Sequence, residues 1–138
     1  MNASNGPHGY VALVTILALL VYLWMFIRVG SARQRFGVEA PAVTGHPEFE
    51  RHFRVQANTI EGLVIFLPAL WLFALYLNEL VAAGLGLVWV IGRIMYMLSY
   101  AKDPKTRSAG FGVQALATVA LLFGAAGSVA WALLKPMV

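Results

Sequence analysis

The sequence has 138 residues, of which 60% are hydrophobic, and a formal net charge of +4 at neutral pH. A composition this apolar excludes an ordinary soluble domain and indicates an integral membrane protein. The chain contains no cysteine, which excludes disulfides, thiolate metal sites and a cysteine nucleophile.

The first predicted element is built on an apolar segment over residues 11–27, preceded by a short polar stretch. We interpret it as a membrane helix over residues 9–35 rather than as a cleavable signal peptide. No basic residue precedes the apolar run, and Arg28, Arg33 and Arg35 follow it in place of a small-residue cleavage site.

Three further helices follow in the chain. Glycines and prolines over residues 37–47 mark a connecting loop, and Pro68 is expected to kink the second helix without ending it. Asn78 and Glu79 form the turn to the third helix, which is long enough to span a membrane. The predicted helices are residues 48–77, 80–102 and 107–135. The fold class is therefore all-α, a single four-helix transmembrane domain over residues 1–138.

The placement of the basic residues predicts the orientation of these helices. Lysine and arginine concentrate around the loop between helices one and two and in and around the loop between helices three and four, whereas the turn at residues 78–79 carries none. By the positive-inside rule both basic loops should be cytoplasmic. A short chain without a targeting extension favours a bacterial inner membrane over the endoplasmic reticulum.

A polar stripe on the second helix is the strongest indication of function. Arg54, Asn58 and Glu61 follow at helical spacing and share one helix face directly before an apolar run. Polar groups that enter a membrane need partners or a polar ligand. An antiparallel hairpin around the turn would place Glu61 level with Tyr96, Asn58 with Ser99 and Arg54 with Asp103 on helix three.

Helix three carries its own polar face, formed by Arg93, Tyr96 and Tyr100. An ion pair between Glu61 and Arg93 with a purely structural role is one interpretation. The other is a binding site, because Arg107 adds a further cation to the same half of the bundle. A multiply anionic ligand with one amine would balance this charge.

The remaining patterns are less specific. The tryptophans are expected to be lipid-facing or interfacial anchors, and the many small residues of helix four suit close helix packing. The three histidines are too dispersed for a metal site, and no pattern indicates nucleic-acid binding.

Three segments of the chain resemble the MAPEG family, the membrane-associated proteins of eicosanoid and glutathione metabolism. They are FERHFRVQANTIE, GRIMYMLSYAKDPKTR and VGSARQRF. The resemblance covers nearly the whole chain. It implies a four-helix protomer, a homotrimer, and glutathione bound as co-substrate between protomers near the cytosolic side. It also implies conjugation or peroxidase chemistry on lipophilic substrates.

The resemblance also assigns site residues. Glutathione contacts are implied for Arg33, Arg54, Gln56, Asn58, Glu61, Arg93, Tyr96 and Tyr100. Arg107 matches the arginine that faces the glutathione thiol, with Tyr100 as the alternative catalytic residue. These side chains suit the two carboxylates, the amine and the peptide groups of glutathione.

Two departures from the leukotriene C4 synthase branch argue against leukotriene synthesis. Gln34 stands where that branch has a second arginine, and Gly62 where it has a tyrosine. Arg54 and Glu61 match the enzymes rather than the non-catalytic branch. The predicted function is a glutathione-dependent membrane transferase or peroxidase for lipophilic electrophiles or lipid hydroperoxides. The alternatives are a non-enzymatic lipid-binding or scaffold protein of the same fold and a small channel or transporter.

Overall fold

The computed structural model describes residues 7–136, and its secondary structure is helical. The helices are α1 (Gly9–Phe36), α2 (Pro47–Tyr76), α3 (Glu79–Lys102) and α4 (Ser108–Leu134), with a short 3₁₀ turn at Pro104–Thr106 before α4. Each bound lies within one residue of the predicted one. All four helices are long and apolar enough to cross a membrane. The prediction of an all-α, four-helix membrane bundle is confirmed.

The residues that end and begin the helices are those expected from their chemistry. Gly37 ends α1 in the left-handed conformation, at φ 68°, which costs a residue without a Cβ nothing. The Nδ1 atom of His46 accepts a hydrogen bond from the Glu48 N–H at 3.2 Å, and the Asn78 carboxamide accepts one from the Val81 N–H at 2.9 Å. These side chains satisfy amide groups that have no partner within the first turn of a helix.

Consecutive helices run antiparallel. The Val11 N–H at the start of α1 donates to the Glu79 carboxylate at the start of α3 at 3.1 Å, so these two helix starts lie together. Near the same end, the Trp71 indole donates to the Thr15 hydroxyl at 3.0 Å. The loops at residues 37–46 and 103–107 therefore lie at the opposite end, and because lysine and arginine concentrate in and around them we call it the basic end.

The glycines of α3 and α4 let these two helices approach very closely. A Cβ atom on Gly110 would lie 2.8 Å from the Tyr96 Cα and closer still to its amide nitrogen, and one on Gly92 would lie 2.9 Å from the Gln114 nitrogen. The neighbours are backbone atoms, which cannot rotate away. Part of the small-residue face predicted for helix four is thus used inside the protomer, and Ala117 and Ala125 are buried on it as well.

We expect Gly110→Ala to destabilise the bundle by about 1 to 3 kcal/mol, because overpacking a tight contact displaces backbone. Gly112→Ala is the matched control, since its Cβ would meet nothing within 4 Å, and alanine favours the helix by up to about 1 kcal/mol over glycine. Thermal unfolding in detergent measures both variants. Equal loss of stability in the two would contradict the close approach of α3 and α4.

One expectation about the tryptophans is wrong. Trp89 is 0% exposed and stacks on Phe66, with ring centroids 4.1 Å apart and planes at 4°. Trp24 and Trp131 are exposed, as expected of anchors. The sequence pattern predicts that Trp89 lies in a helix. Which face of that helix is buried depends on the rotation of α3 relative to α2, which the pattern does not give.

Candidate functional site

The candidate site is organised around Arg93, a charged side chain that is only 1% exposed and lies at the end of the polar face of α3 that is farther from the basic end. Its Nη1 donates to the Asn58 side-chain oxygen at 2.7 Å and, at the longer distance of 3.4 Å, to the Thr59 hydroxyl. Its Nε has no hydrogen-bond partner. The structure therefore holds a buried cation with unused donor capacity, at a depth where an unpartnered charge is costly.

Aromatic rings fix the position of this guanidinium. The Arg93 Cζ lies 5.5 Å from the ring centroid of Trp89 and 4.9 Å from that of Tyr96, both within cation–π distance. On α2, a Cβ on Gly62 would lie 3.1 Å from the Arg93 Nη2. Glycine at position 62 thus leaves the room that the guanidinium occupies. This also agrees with the predicted hairpin register, which put neighbouring Glu61 close to this part of α3.

The interpretation of Glu61 and Arg93 as an ion pair is wrong for this structure. The hydrogen-bond partners of Arg93 within residues 7–136 are Asn58 and Thr59. Glu61 is exposed on the side of α2. The Arg93 side chain is long enough to reach a partner one helical turn away, so it donates to the neutral amide of Asn58 and not to the carboxylate of Glu61.

A cavity of about 600 Å³ opens at Asn58, the residue that accepts the hydrogen bond from Arg93, and extends toward the basic end. We call it the central cavity; it is lined by Asn58, Tyr96, Pro104, Lys105, Arg107, Ser108 and Phe111. It therefore brings together Asn58 of α2, Tyr96 of α3 and Arg107, which immediately precedes α4. The surroundings carry cations and aromatic rings, a combination that suits an anionic ligand with apolar parts.

Arg107 lies at the mouth of the central cavity, immediately before α4. It is exposed, its Nη1 donates to the Pro104 carbonyl at 3.1 Å, and its Cζ lies 5.7 Å from the Tyr100 ring centroid. Tyr100 in turn lies 5.6 Å from Tyr96, centroid to centroid. The two predicted catalytic residues are therefore neighbours, and the tyrosine ring holds the guanidinium by one face.

A second cavity, about 280 Å³, continues from Arg93 along α4. We call it the apolar groove; it is lined by Asn58, Glu61, Gly62, Ile65, Arg93, Phe111, Gln114, Ala115, Thr118 and Val119. It shares Asn58 and Phe111 with the central cavity. Its charged and amide side chains lie on the Arg93 side, and toward Ile65 and Val119 its polar side chain is Thr118, whose hydroxyl donates to the Gln114 carbonyl at 2.9 Å. The groove therefore becomes less polar along α4.

The other predicted residues lie farther out. Arg54 and Tyr100 line a third cavity of about 500 Å³ beside the loop at residues 37–46. Arg33 contacts that loop: its Nη1 donates to the Ala42 carbonyl at 2.7 Å. Its Cζ lies 4.8 Å from the Phe49 ring centroid. Gln56 is half-buried on α2. Neither Arg33 nor Gln56 lines the cavities described above.

Sequence reasoning missed Thr59, Trp89 and Gln114. Gln114 is 4% exposed on α4 and lines the apolar groove. Gln114 could have been found from the sequence, because Arg107, Phe111 and Gln114 have the same spacing as Arg54, Asn58 and Glu61 on α2. Within residues 7–136, no cluster of three or more His, Asp or Glu side chains is placed to hold a metal ion.

The chain is similar to known proteins over most of its length. The family model described as MAPEG family matches residues 11–127. An uncharacterized protein from Synechocystis is 48% identical over 122 residues, covering 88% of this chain and 89% of the relative. Microsomal glutathione S-transferase 2 from Homo sapiens is 41% identical, covering 86% and 83%. Leukotriene C4 synthase from Bos taurus is 39% identical, covering 72% and 66%.

Proposed function

The chain belongs to the MAPEG family, and on that premise we propose that it is a glutathione-dependent membrane transferase for lipophilic electrophiles, with peroxidase activity toward lipid hydroperoxides at the same site. The observation that carries this proposal is the buried Arg93, which lines the apolar groove and donates to Asn58, a residue that lines both the groove and the central cavity. One ligand is charged and the other is apolar, and the two cavities meet at Asn58 and Phe111.

The charges of the central cavity match the chemistry of glutathione. Its two carboxylates suit guanidinium groups, which donate two parallel N–H bonds. Arg107 and Lys105 line the central cavity, and Arg93 lines the adjoining groove and donates to Asn58, which lines both, so the bound peptide would have cations on two sides. Glu61, on the adjoining groove, is the anionic group that suits the amine.

The reaction requires a thiolate, because the thiol itself is a poor nucleophile. The Arg107 guanidinium would stabilise the sulfur anion while the proton leaves through the open mouth of the cavity. In conjugation, the sulfur lone pair forms a C–S bond as the leaving group of the electrophile departs. In the peroxidase reaction, two glutathione molecules are oxidised to the disulfide, and the hydroperoxide is reduced to an alcohol and water.

The apolar groove supports the choice of a lipophilic second substrate. It follows α4 from Phe111 to Val119, along a helix that has exposed apolar side chains on its outer surface. A substrate dissolved in the bilayer could enter along this helix and meet the sulfur at its polar end. A non-enzymatic lipid-binding protein would use the same groove without turnover, so activity separates the two functions.

Arg54 and Glu61 should each contribute to glutathione affinity. Because both are exposed in the protomer, we expect Arg54→Ala or Glu61→Ala to weaken binding by about 10 to 100-fold, the range for hydrogen bonds to charged groups of about 1.5 to 3 kcal/mol. Calorimetry with glutathione measures the affinity. Unchanged affinity in both folded variants would remove the stripe on α2 from the site.

We further propose that the protein is a homotrimer with the site shared between protomers. Arg54, Glu61 and Arg107 are all exposed at the perimeter of one protomer, although α2 and α4 are long enough to span a bilayer. Charged side chains in such segments are rarely left against lipid. Native mass spectrometry should give three copies, and a stable, fully active monomer would contradict both the assembly and the shared site.

A further inference from the structure

A small basic pocket lies between α1 and α2 at the basic end, separate from the cavities described above. It encloses about 190 Å³ and is lined by Arg28, Ser31, Ala32, Arg35, Phe36 and His52. None of these residues lines the central cavity, the apolar groove or the cavity at Arg54. The candidate glutathione site therefore leaves two arginines and a histidine in one cavity without a role.

Aromatic rings hold the two guanidinium groups of the pocket. The Arg28 Cζ lies 5.7 Å from the Trp24 ring centroid, and the Arg35 Cζ lies 5.3 Å from that of Phe36. Phe36 is itself stacked on His46, centroid to centroid at 4.0 Å. A cation–π contact does not use the N–H donors of a guanidinium, which can then bind an anion.

The charge and size of the pocket suit a phosphate. Arg28, Arg35 and His52 line one cavity of about 190 Å³, so the three groups are close, and no carboxylate is among its lining residues. A water molecule occupies about 30 Å³ of the liquid, so the volume is sufficient for a phosphate group. Ser31 adds a hydroxyl donor.

The surface of α1 that adjoins the pocket, on the side away from the basic end, is apolar. Leu20, Trp24 and Ile27 lie on the same face of α1 as the pocket residues Ser31 and Arg35, and their exposed fractions are 52%, 43% and 59%. The spacing of these five positions is that of a single helix face. A ligand that occupies both parts must carry a phosphate and a hydrocarbon chain.

We propose that this pocket binds the headgroup phosphate of an anionic phospholipid, with an acyl chain along Leu20, Trp24 and Ile27. Basic pockets between membrane helices are suited to such headgroups, and a nearby tryptophan suits the interface. The polar-to-apolar order along α1 favours a lipid over free phosphate. The site is independent of the proposed glutathione chemistry.

The experiment measures lipid retained by the purified protein in native mass spectrometry. Phosphatidylglycerol and phosphatidylcholine with identical acyl chains are the two probes, and inorganic phosphate is the competitor. We expect preferential retention of phosphatidylglycerol, and a loss of about 25-fold in its relative affinity in Arg28→Gln/Arg35→Gln, since each basic residue near an anionic lipid contributes a factor of about five. Arg28→Lys/Arg35→Lys should keep most of the preference.

The matched control is Lys102→Gln/Lys135→Gln, which removes the same charge from two exposed positions outside the pocket. It should leave the lipid preference unchanged. Equal retention of the two lipids by the wild type, or an equal loss in the arginine and lysine variants, would overturn the proposal. Displacement of phosphatidylglycerol by an equal concentration of inorganic phosphate would overturn it as well, because the acyl chain would then contribute nothing.

Discussion

Replacement of Arg107 by alanine should lower the rate of glutathione conjugation by about 10 to 1,000-fold, the usual effect of removing one group that stabilises developing charge. Arg107 lines the central cavity at its mouth and lies over the ring of Tyr100. Its loss should also reduce the thiolate absorbance that appears when glutathione is mixed with the enzyme. Stopped-flow absorbance and steady-state rates measure the two effects.

The competing role for Arg107 is structural, since its Nη1 bonds the Pro104 carbonyl before α4. Lys102→Gln is the matched control: it removes a positive charge from the same end of the bundle, at an exposed residue outside the central cavity. It should leave both signals near the wild-type values. Retention of thiolate and rate in Arg107→Ala would disprove the assignment, and a loss confined to Tyr100→Phe would transfer the role to the tyrosine.

The contact between Arg93 and Asn58 should have opposite consequences for stability, depending on which partner is removed. Asn58→Leu leaves a buried guanidinium without its closest acceptor, and we expect a loss of stability of about 3 kcal/mol. Arg93→Met removes the charge and fills similar volume, which is often neutral or stabilising. The double variant should therefore recover most of the stability lost in Asn58→Leu. Thermal unfolding of the three variants measures this cycle.

Glutathione binding should fail in all three variants, because Asn58 lines both cavities and Arg93 donates to it and lines the apolar groove. Thr59→Val is the control, since the contact of Thr59 with Arg93 is long, at 3.4 Å, and its loss should change stability and affinity little. Independent, additive losses for Asn58→Leu and Arg93→Met would show that the contact is not the source of the effect.

The helices could be predicted almost to the residue, because the chain marks their ends with glycine, proline and asparagine. Gly37 and Asn78 occupy the positions where the chemistry of helix ends requires them. Length and hydropathy then left few alternatives to a membrane bundle. The spacing of Arg54, Asn58 and Glu61 likewise predicted one helix face, since periodicity determines which residues share a face.

Periodicity could not predict what each face meets. The rotation of α3 places Trp89 in the core, and the length of the arginine side chain carries the Arg93 guanidinium to Asn58 and away from Glu61. Arg33 was assigned to the ligand but contacts the carbonyls of its own loop. Such choices depend on helix rotation and side-chain conformation, which a single sequence does not encode in its spacing.

The measurement that tests the central claim most directly is turnover by the purified wild-type protein in nanodiscs, with glutathione and either an aryl halide or a lipid hydroperoxide. We predict a rate that saturates with glutathione and exceeds the rate in protein-free nanodiscs for at least one of the two substrates. A folded protein that gives no rate above that background with either substrate would contradict the proposal that this site is catalytic.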